Sequence, residues 1–167
     1  MDKVKGELCK EFMITDLGKI HWLLGFAVKR DQEKCTISLS QLSYIHGILQ
    51  WYRFDHIQLV STPMNPGLKL SKANAPKTAK EFAFMRDKPY RETVGSANYT
   101  VIGTRPDISY IVSVLSHYLD NPGPDHWVTV KHLFAYLSGM VNYELVFGLE
   151  EHSLLGYTDA DGSMHKD

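Results

Sequence analysis

The apolar positions of this 167-residue chain change period several times. Residues 12–31, FMITDLGKIHWLLGFAVKRD, open with alternation and run into WLLGFAV, a dense stretch rich in strand-forming residues. Gly25 inside it predicts a bulge or a close approach by another backbone. DQEK at 31–34 reads as a turn, and CTISLSQ at 35–41 alternates, with Ile37 and Leu39 on one face. The two apolar stretches predict a β-hairpin.

From Ser40 onward the period lengthens. Leu42, Ile45, Ile48, Leu49 and Tyr52 form a helical stripe, with Ser40 as a natural N-cap. Residues 60–82 lose the pattern and carry Pro63, Pro66, Gly67 and Pro76 with Lys69, Lys72, Lys77 and Lys80, which predicts a long basic connector. Helical spacing returns at 90–103 (Val94, Ala97, Val101), weakened by Gly95 and β-branched residues. It is stronger at 104–121, where Pro106 and Asp107 suit a first turn and Ile108, Ile111, Val112, Leu115 and Leu119 make the stripe. NPGP at 121–124 breaks the chain. Residues 125–139 then place Trp127, Val130, Phe134 and Leu137 on one side, with Gly139 as a C-terminal stop. YELVFG (143–148) and SLLGYTDA (153–160) read as a short C-terminal strand pair. The expected class is α+β: a β-hairpin, then a helical region, then that strand pair.

Composition adds one feature. The net charge is −1, but residues 1–91 hold 15 Lys and Arg against 9 Asp and Glu, and residues 92–167 hold 3 against 10. A basic half can lie along phosphate, whereas an acidic half repels it unless a cation intervenes; the same asymmetry also describes two solvated faces. No apolar run is long enough to span a bilayer. The start MDKVKGELCKEF lacks an apolar signal core, and the two cysteines, Cys9 and Cys35, form no framework, so an intracellular, reducing setting is expected. The eight histidines make no zinc spacing, and there is no G-x-S-x-G elbow or glycine-rich phosphate loop.

Eight motifs follow one another from Phe12 to Asp161. They are F-M-x-x-D-L-G with a following L-G (12–25), I-x-L-S-Q-x-x-Y-I (37–45), S-T-P-M (61–64) and Y-R-E-x-V-G-S (90–96). T-R-P-D-I-S-Y (104–110), L-S-x-Y (115–118), N-P-G-P-x-H-W-x-x-V-K (121–131) and G-Y-x-D-A-D (156–161) complete the series. In this order they resemble the reverse transcriptase of Ty1/copia-type retrotransposons. The resemblance implies a segment of a Pol polyprotein. Residues 1–59 would be the end of the palm with a primer-grip-like hairpin and thumb helix, 60–88 a basic linker, 89–148 a helical connection region, and 149–167 a truncated start of RNase H. The family's Y-V-D-D-type polymerase motif is missing, so the chain alone is expected to be inactive. Gly162 stands where the family has Trp, and Ala97 and Asn98 where it has a Leu-Met pair, which fits a divergent or decaying copy.

The resemblance also assigns roles. His21, Trp22, Leu23 and Gly25 would belong to the primer grip, although Trp22 serves equally well as a core residue. Gln41, Tyr44 and Ser43, on the thumb-like helix, would reach sugar or phosphate of an RNA–DNA template–primer, with capping the alternative for Gln41. Lys69 and Lys72 would add phosphate contacts. Arg105 is better suited to an ion pair with a nearby acid than to phosphate. Asp159 is the RNase H metal ligand by this resemblance and Asp161 a secondary one; Mg²⁺ belongs to the parent enzyme, and this chain alone would not hold it tightly. The implied partners are an RNA–DNA hybrid or duplex and the remainder of the Pol polyprotein, with no membrane. The parent element would place it in the cytoplasm, a virus-like particle or the nucleus. A domesticated protein-interaction module without catalysis is the alternative, and a small Mg²⁺-dependent nuclease the third.

Overall fold

The computed structural model describes residues 2–15 and 17–148. The class is α+β. Helix α1 (Asp2–Glu11) precedes a meander of three strands, β1 (Trp22–Leu23), β2 (Phe26–Asp31) and β3 (Thr36–Ser40). Then come α2 (Leu42–Trp51), a 3-10 turn at Lys72–Asn74, α3 (Ala79–Arg86) and α4 (Tyr90–Gly103). A second 3-10 turn at Pro106–Ile108, α5 (Ser109–Ser116), α6 (Pro124–Gly139) and β4 (Leu145–Phe147) follow. The strands make one antiparallel sheet in chain order, β1-β2-β3-β4.

The predicted turn at 31–34 is present, closed by the Asp31 carboxylate, which accepts from the backbone N–H groups of Glu33 and Lys34 at 3.0 and 3.1 Å. Gly25 does not mark a bulge. The chain reverses at Leu24 and Gly25, so that Trp22 pairs with Ala27 and Leu23 with Phe26. Both turn residues have positive φ, +50° and +82°, the feature that matches a two-residue hairpin loop to strand twist. Gly25 adopts this freely, while a left-handed leucine costs about 1–2 kcal/mol.

β4 pairs with β3, setting Leu145 opposite Leu39 and Phe147 opposite Ile37. The sheet therefore joins residues on either side of the helical region. Its other expected partner, 153–160, lies outside the described residues. Alternation along the strands puts Phe26, Val28, Leu39 and Leu145 on one half-buried face.

Helices α2 to α6 share one core, while α1 is exposed along its described side chains. Ile45, Ile48, Leu49 and Phe54 from α2 and its C-terminal side meet Val94, Ala97, Ile108, Ile111, Val112, Leu115, Val130, Leu133, Phe134 and Leu137. Phe54 lies 5.1 Å from the Phe134 ring and 5.9 Å from that of Trp127. The segments 1–59 and 89–148 thus meet in a single apolar interior.

Within the segment read as a basic connector, two short elements form, each with a capping box. Ser71 and Asn74 close the first 3-10 turn, and Thr78 and Glu81 close the start of α3. The predicted helix at 104–121 is divided into the 3-10 turn at Pro106 and α5, which ends at Ser116. Gly95 does not interrupt α4, and α6 stops at Gly139 as its sequence suggests.

Candidate nucleic-acid interface

The site is best built from the seam between α2 and α4. Gln41 stands at the N-cap of α2, 1% exposed, and its side chain makes no cap bond. Instead its Oε1 accepts from the Thr104 hydroxyl at 2.9 Å and its Nε2 donates to the Tyr99 carbonyl at 3.4 Å. Neither expectation for Gln41 holds: it is not a capping side chain, and it presents no surface to a nucleic acid. Ser40 Oγ accepts the Leu42 N–H at 3.2 Å, close to its predicted capping role. Gly103 permits the arrangement, because a Cβ there would overlap Gln41 Oε1 and the Phe26 ring.

Tyr44 is also turned toward α4. Its hydroxyl donates to the Ser96 carbonyl at 3.3 Å, and burial raises its pKa above the ordinary value. Tyr52 bonds the Ser96 hydroxyl at 3.0 Å. One small residue of the Y-R-E-x-V-G-S motif thus serves Tyr44 of α2 and Tyr52 just beyond its end.

The outward face of α2 is different. Ser43, His46, Gly47, Gln50 and Trp51 are all exposed, at the spacing of one helical stripe. Trp51 is 81% exposed, and Gly47 has nothing within 4 Å of where a Cβ would stand. Arg53 follows, exposed, at φ +60°. No Asp or Glu occurs between Cys35 and Phe54. Gln41 and Tyr44, expected at the nucleic acid, face inward, whereas Ser43 of the same expectation stands on the outer stripe with His46, Gly47, Gln50 and Trp51. The signal was available: these are the positions left over once the apolar stripe is removed.

The hairpin residues sit beside this seam. His21, Trp22, Leu23 and Gly25 are exposed; Trp22 is 59% exposed, which removes the core alternative for it. Tyr99 of α4 joins them to α2. Its hydroxyl donates to the Leu24 carbonyl at 2.6 Å, and its ring lies 4.9 Å from that of Tyr44 and 6.0 Å from that of Phe26. Lys69 and Lys72 are exposed on the connector, and Lys72 opens the 3-10 turn whose Asn74 donates to Asp125 at 2.9 Å at the start of α6. Lys72 sits at that docking point, and Lys69 lies three residues before it.

Arg105 makes the ion pair expected of it. It is 1% exposed and grips Asp107 with two bonds of 2.9 and 2.8 Å, while donating to the Met140 carbonyl at 3.0 Å. Tyr136 donates to the same carboxylate at 2.8 Å. Burial alone would raise the Asp107 carboxyl, but the hydrogen bonds from Arg105 and Tyr136 outweigh it and hold it below its ordinary value. His126, fully buried, accepts the Gly123 N–H at 2.9 Å through Nδ1. Burial lowers its pKa more than Asp125 raises it. Asp159 and Asp161 lie outside the described residues, and among the described residues no group of three or more His, Cys, Asp or Glu side chains is placed to hold a metal.

No protein-family model and no solved structure matches the chain. Three relatives match nearly all of it. It is 42% identical over 159 residues to the retrovirus-related Pol polyprotein from transposon TNT 1-94 of Nicotiana tabacum. It is 34% identical over 161 residues and 32% over 155 residues to those from transposons RE1 and RE2 of Arabidopsis thaliana. These alignments take in 95%, 96% and 92% of the chain, which in turn spans 12%, 10% and 10% of the relatives' lengths. The chain belongs to the family of retrovirus-related Pol polyproteins of Ty1/copia-type transposons, and corresponds to one segment of them.

Proposed function

We propose that this segment grips the RNA–DNA template–primer in the parent reverse transcriptase without performing chemistry itself. The carrying observation is the outer stripe of α2. Ser43, His46, Gly47, Gln50 and Trp51 are exposed on a helix free of carboxylates, and the hairpin residues His21, Trp22, Leu23 and Gly25 are exposed as well. A duplex can approach such a face closely at Gly47 and meet donors and a π surface rather than like charge. An RNA–DNA hybrid has a wide, shallow groove, so contacts to sugar, phosphate and 2′-OH would dominate over base reading. Lys69 and Lys72 would contribute phosphate contacts from the connector. Under this reading Mg²⁺ belongs to the parent enzyme, with Asp159 and Asp161 as its ligands there.

The test is binding of a labelled hybrid over a salt series. Each neutralised phosphate adds about −0.9 to the log–log slope on B-DNA. Binding that Trp51→Ala weakens with the slope unchanged, and that Arg53→Ala weakens with a shallower slope, supports the grip. No binding at low salt defeats it.

A second reading has its own observation. Phe12, Met13, Ile14, Leu17, Ile20, Trp22, Leu23 and Leu24 are all exposed, and so many exposed apolar residues in one segment mark a protein-binding surface. Indifference to nucleic acid with stable association through this segment would favour an interaction module.

A further inference from the structure

We propose that Tyr99 is a positioning residue: its hydrogen bond to the Leu24 carbonyl fixes the hairpin turn, so that the hairpin and the outer face of α2 meet a duplex as one body. The proposal rests on the nucleic-acid reading above.

The hairpin alone is weakly built. β1 is two residues long, its side chains are exposed, and the turn forces Leu24 into the left-handed region, where a leucine is strained. Left to itself such an edge frays. Tyr99 supplies what the hairpin lacks. It projects from α4, whose Val94, Ala97 and Thr100 are buried in the core, so its backbone is fixed. Its hydroxyl reaches the carbonyl of the strained residue itself, at 2.6 Å. Its ring lies against Phe26 on the far side of the turn and edge-on to Tyr44 of α2. Its carbonyl accepts from Gln41 at the start of α2. Gly25, at φ +82°, completes the turn beside the Tyr99 hydroxyl, which lies at ordinary contact distance, 3.6 Å, from where a Cβ would stand. One residue therefore touches the turn, the second hairpin strand and both ends of the first turn of α2.

The variant Tyr99→Phe removes the hydroxyl and keeps the ring. The reporter is the Val28 N–H, which donates to the His21 carbonyl at 2.8 Å, at the open end of the β1–β2 pair. In Tyr99→Phe this amide is expected to exchange about three- to ten-fold faster, the factor that the net worth of one hydrogen bond represents. Hybrid affinity should fall by a similar factor. Adding Leu24→Asn should restore both, because Asn-Gly adopts the positive-φ turn without a latch. A merely structural role for Tyr99 would not be rescued by a residue at the tip of the turn. Unchanged Val28 exchange in Tyr99→Phe, or a loss of affinity that Leu24→Asn does not restore, overturns the proposal. Failure of the wild-type chain to bind hybrid defeats the nucleic-acid reading and the positioning role with it. Hybrid binding with unchanged Val28 exchange in the variant defeats the positioning role alone.

Discussion

The Thr104 hydroxyl donates to the Gln41 side chain across 63 positions of sequence, and both residues are buried. This single bond ties the residue just before α2 to the residue just after α4. Gln41→Ala would leave the Thr104 hydroxyl without its partner and open a space beside Gly103. The expected loss is about 2–4 kcal/mol, the sum of an unsatisfied buried group and a small cavity. Urea unfolding of Gln41→Ala, Thr104→Val and the double variant measures it. The double variant should lose less than the two single variants together, because it leaves neither polar group stranded.

Two glycines should respond in opposite directions. Gly103→Ala drives a Cβ into Gln41 Oε1 and the Phe26 ring, at a cost of about 1–3 kcal/mol. Gly47 has open space, so Gly47→Ala should stabilise α2 by up to about 1 kcal/mol through helix propensity. If α2 lies on a duplex, the same methyl should weaken hybrid binding. A variant that melts higher and binds worse would separate function from fold; one that melts higher and binds equally would remove Gly47 from the interface.

Removing the Arg105 side chain should be among the most damaging single changes. It would strand the Asp107 carboxylate, half-covered and no longer neutralised, and the Met140 carbonyl. Breaking a buried pair from one side costs about 3–5 kcal/mol. Arg105→Lys keeps the charge but cannot make the two-pronged contact, so it should fall between Arg105→Ala and the wild type in chemical denaturation.

His126 predicts a pH dependence. Its folded pKa is below the ordinary histidine value of 6.5, because burial disfavours the charged ring. The unfolded chain therefore takes up the proton first as pH falls. The stability this histidine contributes is complete above pH 6.5 and declines as acid is added below it. Comparing urea midpoints at several pH values for the wild type and His126→Asn tests this. The variant should show a shallower decline on the acid side of neutrality. An equal decline would assign the effect to the other histidines.

Much of this architecture was legible. The turn at 31–34, the stripe of α2 and the stop at Gly139 follow from local periodicity and punctuation. α3 was announced by its capping box, Thr78 with Glu81, but lysines and prolines around it read as a linker. The turn at Leu24 was hidden because a leucine at positive φ contradicts its own preference, and the Tyr99 hydroxyl that meets its carbonyl comes from 75 positions away. Gln41 was misplaced for the same kind of reason. A polar side chain at a helix start looks exposed until Thr104, far along the chain, is known to meet it. Of the three residues expected on that helix, only Ser43 faces outward, while Gln41 and Tyr44 face α4.

The sheet has a consequence for the order of events during synthesis. β1, β2 and β3 can pair as soon as they emerge, but β4 arrives only after every helix between them; Lys29 meets Glu144 over 115 positions. Such a pairing is a late, slow step, since the intervening chain must compact before the ends can meet. Until Phe147 has been made, the second edge of β3 stands open with Ile37 and Leu39 on it, an invitation to a strand from a neighbouring molecule. The same short strand that covers β3 thus also shortens the time for which a half-made chain offers that edge to a neighbour.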